Sequence, residues 1–357
     1  MREQDDGQAP AVAEGAARGY HDLLRSVPGT AGPGGSESVT TVLVAFGVNV
    51  LVAVAKSAAA VVTGSASLLA EAAHSWADTG NEIFLLNANR RSRRPPDLAH
   101  PFGHGREAYV WSLFAAIGLF VAGAAVSVTR GIQELITPEA AGHFLVGYAV
   151  LAVSFVLEAI SFLQAVRQAK PEAESMQRDL IEHILATSDP TLRAVFAEDS
   201  AALAGLVIAA AGLAAHQVTG SPVPDAAGSI LVGVLLGVVA IVLINRNLRF
   251  LVGQEADPRV RAATIQALLA APEVARVTYL RLEIVGPRMV SVIGDVDLSG
   301  DDTEAHLAVR LRALEARISA SPAVAGAVLS LSAPDEPTLV AGVPRHEQGP
   351  GGHGTRC

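Results

Sequence analysis

Residues 71–78 read EAAHSWAD and place a histidine and a carboxylate four positions apart in a stretch otherwise apolar enough to cross a membrane. Because an α-helix repeats every 3.6 residues, His74 and Asp78 share one helix face. Ionisable side chains at membrane depth are unfavourable unless they face a partner, a cavity or an ion, so this pair is a candidate metal site. A second apolar stretch carries Glu198 and Asp199. Two such helices side by side would form a metal site within the bilayer.

The composition indicates a membrane protein. Half of the 357 residues are hydrophobic and 17% are charged, whereas soluble domains usually carry more charge. Apolar windows of roughly 20 residues, the length that crosses about 30 Å of hydrocarbon, predict six transmembrane helices. The six predicted spans cover residues 39–63, 67–89, 108–136, 144–168, 192–217 and 226–245.

The distribution of positive charge predicts the orientation of these spans. Residues 90–94 read RRSRR after the second span, and Lys170 and Arg178 lie between spans four and five. The turns at 64–66 and 219–225 carry no positive charge. Since Lys and Arg near span ends stay on the cytoplasmic side, both termini are expected in the cytoplasm. The Ala-, Gly- and Arg-rich composition is typical of a bacterial genome, so we expect a multi-pass protein of the bacterial cytoplasmic membrane.

The N-terminal residues, the cysteine content and the net charge exclude several classes of function. Residues 1–37 are polar and contain no apolar core, so we expect a disordered cytoplasmic arm and no cleavable signal peptide. The single cysteine is Cys357, which excludes an internal disulfide framework and a Cys-based zinc site. Any metal must therefore bind to histidine and carboxylate. With a net charge of −9 and no basic patch, a nucleic-acid partner is not expected.

A change of pattern after the sixth span predicts a second domain. Residues 277–284 and 289–296 alternate between apolar and polar side chains around a Gly-Pro turn, which is typical of a β-hairpin. A helix starting at Pro258 precedes the hairpin, and a helix over about 302–320 and a strand over 324–331 follow it. This αββαβ order predicts a cytoplasmic α+β ferredoxin-like domain. The predicted domain covers residues 254–334, and residues 335–357 are predicted to form a flexible tail.

Longer motifs carry a resemblance to a known family. Residues 63–78 read TGSASLLAEAAHSWAD, residues 100–106 read HPFGHGR, and residues 189–202 contain DPT and FAEDSAA. Over residues 38–333 the chain resembles the cation diffusion facilitators, which are six-helix, proton-coupled exporters of zinc and related divalent metals. Within that family it resembles the branch that contains the mitochondrial zinc transporter nine. The resemblance implies a transmembrane cation efflux domain over residues 38–253, a homodimer joined through the cytoplasmic domain, and no enzymatic activity.

The resemblance also implies a transport site with two ligands from the second helix and two from the fifth. His74, Asp78 and Asp199 match three of these four positions. The fourth position falls on Val195, which cannot bind a metal. A water molecule, Glu198 or Glu158 would supply the missing ligand. Glu158 could instead relay protons, or bond Ser154 or Ser161 between helices.

The chemistry of these ligands suits a cation that is bound and then released. Zn²⁺ accepts imidazole nitrogen and carboxylate oxygen, and two carboxylates cancel its charge in a medium of low dielectric constant. Since the ligands must be deprotonated to bind, metal and protons compete for the site. We therefore expect Zn²⁺ as the transported substrate, H⁺ as the coupling ion and no prosthetic group. Mn²⁺, Fe²⁺ or Co²⁺ remain alternative substrates because they tolerate carboxylate sites.

A second candidate metal site lies in the predicted cytoplasmic loop. Asp97, His100 and His104 are spaced so that all three could converge on one ion, although loop histidines beside Pro and Gly also serve turns. In the cytoplasmic domain His306 stands beside Glu304 on an exposed-looking helix, so we expect dimerisation without a metal pair. The histidines of the tail, His346 and His353, are of the kind that bind metal loosely.

Other interpretations stay open at this level. A His and an Asp on one buried helix face also form ordinary interhelical hydrogen bonds. The valine at the fourth ligand position favours a non-transporting metal sensor or regulatory dimer partner on the same fold. An intramembrane metallohydrolase would need a general base, for which Glu198 or Glu71 would serve, but no nucleophile or substrate motif accompanies them.

Overall fold

A computed structural model describes residues 39–138 and 142–340, without the side chains of residues 39–45 and Phe120. The predicted N-terminal arm and most of the predicted tail, with its two histidines, lie outside the described residues. The described residues divide into two compact units. One contains residues 39–94, 106–138 and 142–252, and the other contains residues 95–105 and 253–340.

The first unit is helical within the described residues. Its elements are α1 (Val39–Thr63), α2 (Ala66–Ser92), α3 (Glu107–Gly118), a π-helical segment (Leu119–Ala125), α4 (Val126–Ile136), α5 (Phe144–Ser175), α6 (Leu180–Ala186), α7 (Pro190–Thr219) and α8 (Val223–Val252).

Local sequence explains where these helices begin and end. Ser65 caps α2 by accepting a hydrogen bond from the Leu68 amide at 3.2 Å. Asp189 caps α7, with Pro190 at the first helical position, where the missing amide proton is no loss. Helix α7 ends at Gly220, whose φ of +67° is the left-handed conformation that glycine adopts without strain.

Five helical stretches of the described chain are long and apolar enough to cross a membrane: Phe46–Thr63, Glu107–Ile136, Phe144–Ser175, Pro190–Thr219 and Val223–Val252. Helix α2 has the length, with 27 residues, but it carries Glu71, Asp78 and Glu82 and is not apolar enough by composition. Helices α1, α3, α7 and α8 all pack against α2 and cover its polar side chains.

The pattern of buried and exposed residues in this unit is typical of a membrane protein. Small residues such as Ala70, Ala77 and Ala201 are buried where helices cross, and this allows close approach of the backbones. Large apolar side chains face outward, with Leu51 68% and Val61 81% exposed, as expected for contact with lipid. The ionisable residues Glu71 and His74 are instead fully buried inside the helical unit.

A carboxylate from the last long helix completes the beginning of α2. Asp225, in the first turn of α8, accepts hydrogen bonds from Ser65 Oγ at 2.9 Å and from the Ala66 amide at 2.7 Å. Ser67 Oγ also donates to it. Although Asp225 is almost completely buried, these three donors satisfy its charge, so α8 and the start of α2 are held together.

The second unit contains α9 (Pro258–Leu269), β1 (Val274–Gly286), β2 (Met289–Leu298), α10 (Glu304–Ser319) and β3 (Val324–Leu331). The sheet order is β1-β2-β3, with β1 and β2 antiparallel and β2 and β3 parallel. Residues of both helices and all three strands form the core, including Ile265, Leu268, Leu280, Val296, Leu314 and Leu329. The observed αββαβ order is the one that the sequence pattern predicts.

Two features of this unit were not predicted. Residues 95–105 belong to it, and Gly105 approaches Gly286 so closely that a Cβ on either glycine would lie 2.8 Å or less from the opposite backbone. The start of the predicted tail also contacts the domain, because the Glu336 carbonyl accepts a hydrogen bond from Arg276 and the Leu339 amide donates to the Val277 carbonyl at 2.8 Å. Glu336 and Leu339 therefore lie beside β1.

Candidate metal sites

One face of α2 carries four ionisable residues. Glu71, His74, Asp78 and Glu82 follow one another at steps of three or four residues, and so they form a stripe along the helix. His74 Nε2 lies 3.4 Å from Asp78 Oδ2. Within the described residues neither ring nitrogen of His74 makes a hydrogen bond, although the side chain is fully buried. Buried polar groups are normally paired, so this imidazole fits the role of a metal ligand.

The two carboxylates of α7 face different neighbours. Asp199 Oδ2 accepts a hydrogen bond from Ser161 Oγ of α5 at 2.8 Å. Glu198 Oε1 accepts from Asn81 Nδ2 of α2 at 2.9 Å and is nearly completely buried. This difference follows from the 100° that separates consecutive residues around a helix. Glu198 therefore faces the helix that carries His74, while Asp199 faces α5.

These groups are neighbours, but the structure does not bring the predicted ligand trio together. The Asp78 carboxylate interacts electrostatically with those of Glu198, Glu158 and Asp199. However, within the described residues only the loop cluster brings three possible ligand atoms within 4.8 Å of one another. His74 and Asp78 form a pair on α2. Asp199 lies near them on α7, but the three do not form an assembled ligand shell. Val195, one turn before Asp199, is half-buried.

A lysine accompanies the carboxylates of the helical unit. Lys56 of α1 lies with its Nζ 3.2 Å from Glu71 Oε2 and 4.0 Å from Glu158 Oε1. Lys56 and Glu71 are both fully buried. The hydroxyl of Ser161, a predicted partner of Glu158, donates instead to Asp199.

Sequence reasoning missed several polar partners of this region. Asn49 of α1 donates to Glu82, and Asn81 and Ser161 hold the two carboxylates of α7. For Glu82 the sequence did contain a signal, because its position four residues after Asp78 places it on the same face of α2. No comparable signal indicated which residue would bond Asp199, because that contact joins two different helices.

The loop cluster is assembled and partly open to solvent. Asp97 Oδ1 lies 3.0 Å from His100 Nδ1, and Asp97 Oδ2 lies 3.1 Å from His104 Nε2. About half of the Asp97 and His100 side chains is exposed, whereas His104 is buried. The hydrogen bonds from His104 and then His100 hold the pKa of Asp97 well below its usual range. Asp97 also accepts from the Ala99 and His100 amides, so it shapes the turn as well as offering metal ligands.

In the second unit the structure gives His306 a simpler role. Its Nδ1 lies 2.9 Å from Asp302 Oδ1, and the side chain is mostly exposed. Arg310 donates to the other oxygen of Asp302. The hydrogen bonds of His306 and then Arg310 lower the pKa of that carboxyl. This arrangement supplies one carboxylate and one imidazole at the surface of α10.

Comparison with known proteins gives these residues a context. Residues 42–252 match the cation efflux transmembrane domain family. The chain is 37% identical over 233 residues to "Metal tolerance protein C4" of Arabidopsis thaliana, across 65% of this chain and 51% of that protein. It is 32% identical over 259 residues to the human "Proton-coupled zinc antiporter SLC30A9, mitochondrial", across 72% of this chain and 46% of that protein. It is 33% identical over 124 residues to "Cation-efflux pump FieF" of Cronobacter sakazakii, across 34% of this chain and 40% of that protein.

The chain spans about half the length of the first two of these curated relatives. The family match nevertheless covers α2 and α7, the two helices that carry the candidate ligands, and more than half of the chain. Its long apolar helices and the buried histidine and carboxylates of α2 and α7 agree with that match. The chain therefore belongs to the cation diffusion facilitator family of cation efflux proteins, and resembles its zinc transporter nine branch.

Proposed function

We propose that the protein exports divalent metal cations, zinc foremost, across a membrane in exchange for protons. The observation that carries this proposal is His74, a fully buried imidazole with no hydrogen bond to either ring nitrogen within the described residues. It lies beside Asp78, and helices α5 and α7 supply further carboxylates nearby. The relatives named as proton-coupled zinc antiporters support the choice of zinc and of proton coupling.

The proposal includes a topology. We place six spans in the membrane by adding α2 to the five apolar stretches, since its polar face is covered by neighbouring helices. Residues 38–253 would form the transmembrane domain, with both termini cytoplasmic in a bacterial cytoplasmic membrane. Residues 254–334 would form a ferredoxin-like cytoplasmic domain that joins two copies into a homodimer. Residues 1–37 and 335–357 would flank these domains as an arm and a tail.

The proposed transport site contains His74, Asp78 and Asp199, with Glu198 as the fourth ligand. Glu198 is preferred because it faces α2, where Asn81 donates to it, and because its carboxylate interacts with that of Asp78. Glu158 is a weaker candidate because it faces Lys56. To reach the ion, Asp199 would exchange its hydrogen bond from Ser161 for a metal bond.

The ligand set explains how a bound ion could also be released. Carboxylates cancel the charge of the dication, and this offsets most of the unfavourable transfer into a medium of low dielectric constant. Oxygen and imidazole ligands bind less permanently than a cage of thiolates, so exchange remains possible. Because protonated ligands do not bind metal, a proton gradient drives release on the acidic side. Transport is the proposed activity, and no chemical reaction is assigned.

The loop residues Asp97, His100 and His104 form the second proposed metal site. Their ligand atoms already lie within 4.8 Å of one another, and half of the cluster is open to solvent. Such a site would load from the cytoplasm without a conformational change. Its turn-forming hydrogen bonds would remain when the metal leaves.

Flux into proteoliposomes tests the proposal. Purified protein is reconstituted with a zinc dye and a pH dye trapped inside, and a pH gradient is imposed. Zinc entry coupled to proton exit, abolished by Asp199→Ala and retained in Asp301→Ala, is the expected result. Asp301 is an exposed carboxylate of the second unit and serves as the matched control.

A sensor or regulatory dimer partner is the second candidate function. The valine at position 195 and the unassembled ligand trio favour it, because both would weaken transport. Folded protein that binds zinc but gives no flux of zinc, manganese, iron or cobalt would place this candidate first and contradict the exporter.

A further inference from the structure

The fully buried ion pair between Lys56 and Glu71 is not used by the proposed transport site, although it adjoins that site. Glu71 precedes His74 by three residues and lies on the same face of α2. Lys56 interacts electrostatically with both His74 and Asp78. A positive charge therefore stands beside a site that must attract cations, which is unfavourable for binding unless the charge has another role.

The carboxylates around Lys56 would themselves suit a metal. Glu71 and Glu158 come from different helices and approach the same ammonium group, at 3.2 Å and 4.0 Å. Carboxylate oxygens on facing helices are the ligands from which helical bundles build divalent metal sites. A second oxygen of Glu71, Oε1, is buried and has no hydrogen-bond partner within the described residues. This pair of carboxylates is therefore a cation position, and Lys56 is the cation that occupies it.

Helix α7 leaves room for Glu71 in this position. A Cβ at Gly205 of α7 would collide with Glu71 Oε1, so glycine lets the carboxylate lie against that helix without shifting. With one oxygen beside Gly205 and the other on Lys56, the carboxylate has its ion-pair partner on α1 rather than among the ligands one turn further along α2. Glu71 would otherwise be a competitor for the ion held by His74.

We propose that Lys56 is a specificity-determining positioning residue, whose tethered ammonium occupies the Glu71 and Glu158 carboxylates and confines the metal to the position of His74 and Asp78. This inference rests on the proposed function, because it assumes metal at His74. The ammonium prevents a second ion from being trapped in carboxylates that have no route of release. It also leaves Glu198 and Asp199, rather than Glu158, to complete the metal shell.

Zinc binding by purified protein, measured by equilibrium dialysis, tests this role. All variants carry His100→Ala and His104→Ala, so that the loop does not contribute. Lys56→Met removes the charge and keeps an unbranched side chain of similar length. We expect it to bind about one additional zinc per chain, because two buried carboxylates lose their resident cation.

A matched double variant separates charge from packing. Lys56→Met with Glu71→Gln removes one of the freed carboxylates, and we expect zinc binding to return to the parent level. Lys56→Arg keeps the positive charge and is expected to bind no additional zinc. A merely structural role for Lys56 would change stability in these variants without raising the amount of bound zinc. Unchanged stoichiometry and affinity in folded Lys56→Met would overturn the proposal.

If Lys56→Met does not fold, Glu71→Gln alone decides the matter. There the ammonium loses its main partner, and its charge is no longer neutralised beside the metal. We expect zinc affinity to fall by about tenfold, equivalent to 1.4 kcal/mol, with the stoichiometry retained. An unchanged affinity would overturn the proposal in that case.

The proposed transport site and the proposed role of Lys56 are contradicted by different results. The proposed transport site fails if the parent protein holds no zinc that Asp199→Ala removes. The role of Lys56 fails if the parent shows zinc that depends on Asp199 and Lys56→Met gains none.

Discussion

The loop cluster and the candidate ligands on α2 and α7 use the same ligand types but differ in how they are arranged. Asp97, His100 and His104 come from one short segment, are already in contact, and are partly open to solvent. His74, Asp78 and Asp199 come from two long helices, are mostly buried, and are not assembled. A local site can be fixed by one turn, whereas a site built from separate helices changes whenever those helices move. The second arrangement suits an ion that must be bound and then released.

The largest expected effect comes from removing the central imidazole. His74→Ala should lower zinc affinity at the intramembrane site by more than about 100-fold, because the loss of outer partners alone typically lowers affinity by 10- to 100-fold. Flux should disappear. His100→Ala should remove zinc from the loop and leave flux measurable. Equal loss of flux in the two variants would show that the two sites act as one.

A smaller effect is expected from the partner of Glu198. Asn81→Leu removes the hydrogen bond that holds this carboxylate toward α2, and we expect zinc affinity to fall by roughly 10-fold or more. Asn49→Leu is the matched control, since Asn49 donates to Glu82, which is not a proposed ligand. If calorimetry shows the same loss for both variants, the assignment of Glu198 as fourth ligand is wrong.

Adding the missing ligand should make the helical site resemble the assembled loop. Val195→His places an imidazole one turn before Asp199, and we expect zinc to bind about tenfold tighter, equivalent to 1.4 kcal/mol, with slower turnover. Val195→Leu should leave both quantities near their original values. Weaker binding by the histidine variant would indicate that position 195 does not face the ion.

The smallest expected effect is electrostatic and concerns the loop in metal-free protein. The histidine hydrogen bonds lower the folded pKa of Asp97, so its charged form contributes stability at pH above about 3.9, its ordinary value. That contribution is lost only as the pH falls through the lower folded value. NMR titration of the Asp97 carboxyl should show a depressed midpoint that rises in His100→Ala/His104→Ala. A midpoint unaffected by the double substitution would contradict the observed hydrogen bonds.

Much of the secondary structure could be predicted from the sequence. Apolar windows predicted six spans, of which five coincide with helices long and apolar enough to cross a membrane, and the alternation of apolar and polar residues predicted the hairpin around Gly286. These features depend on local periodicity, which the sequence displays directly. The stripe on α2 was predictable for the same reason, because the spacing of His74 and Asp78 determines their common face.

Contacts between distant segments could not be predicted in this way. Helical spacing shows that Glu198 and Asp199 point in different directions, but not that Asn81 and Ser161 meet them. Similarly, hydropathy placed residues 95–105 between two spans and did not reveal that they pack with the second unit. The π-helical segment Leu119–Ala125 also lacks a signature in an apolar stretch.

The bond between Asp225 and the start of α2 has a consequence for biogenesis. The carboxylate lies 160 residues after Ser65, which it binds, so the ribosome finishes α2 long before it makes this partner. At synthesis rates of about 5–20 residues per second, the delay is roughly 8–32 s. During that time α2, the most polar of the long helices, lacks one of its anchors. The contact that joins the start of α2 to α8 is therefore a late event, which cannot form until the last long helix has been synthesised.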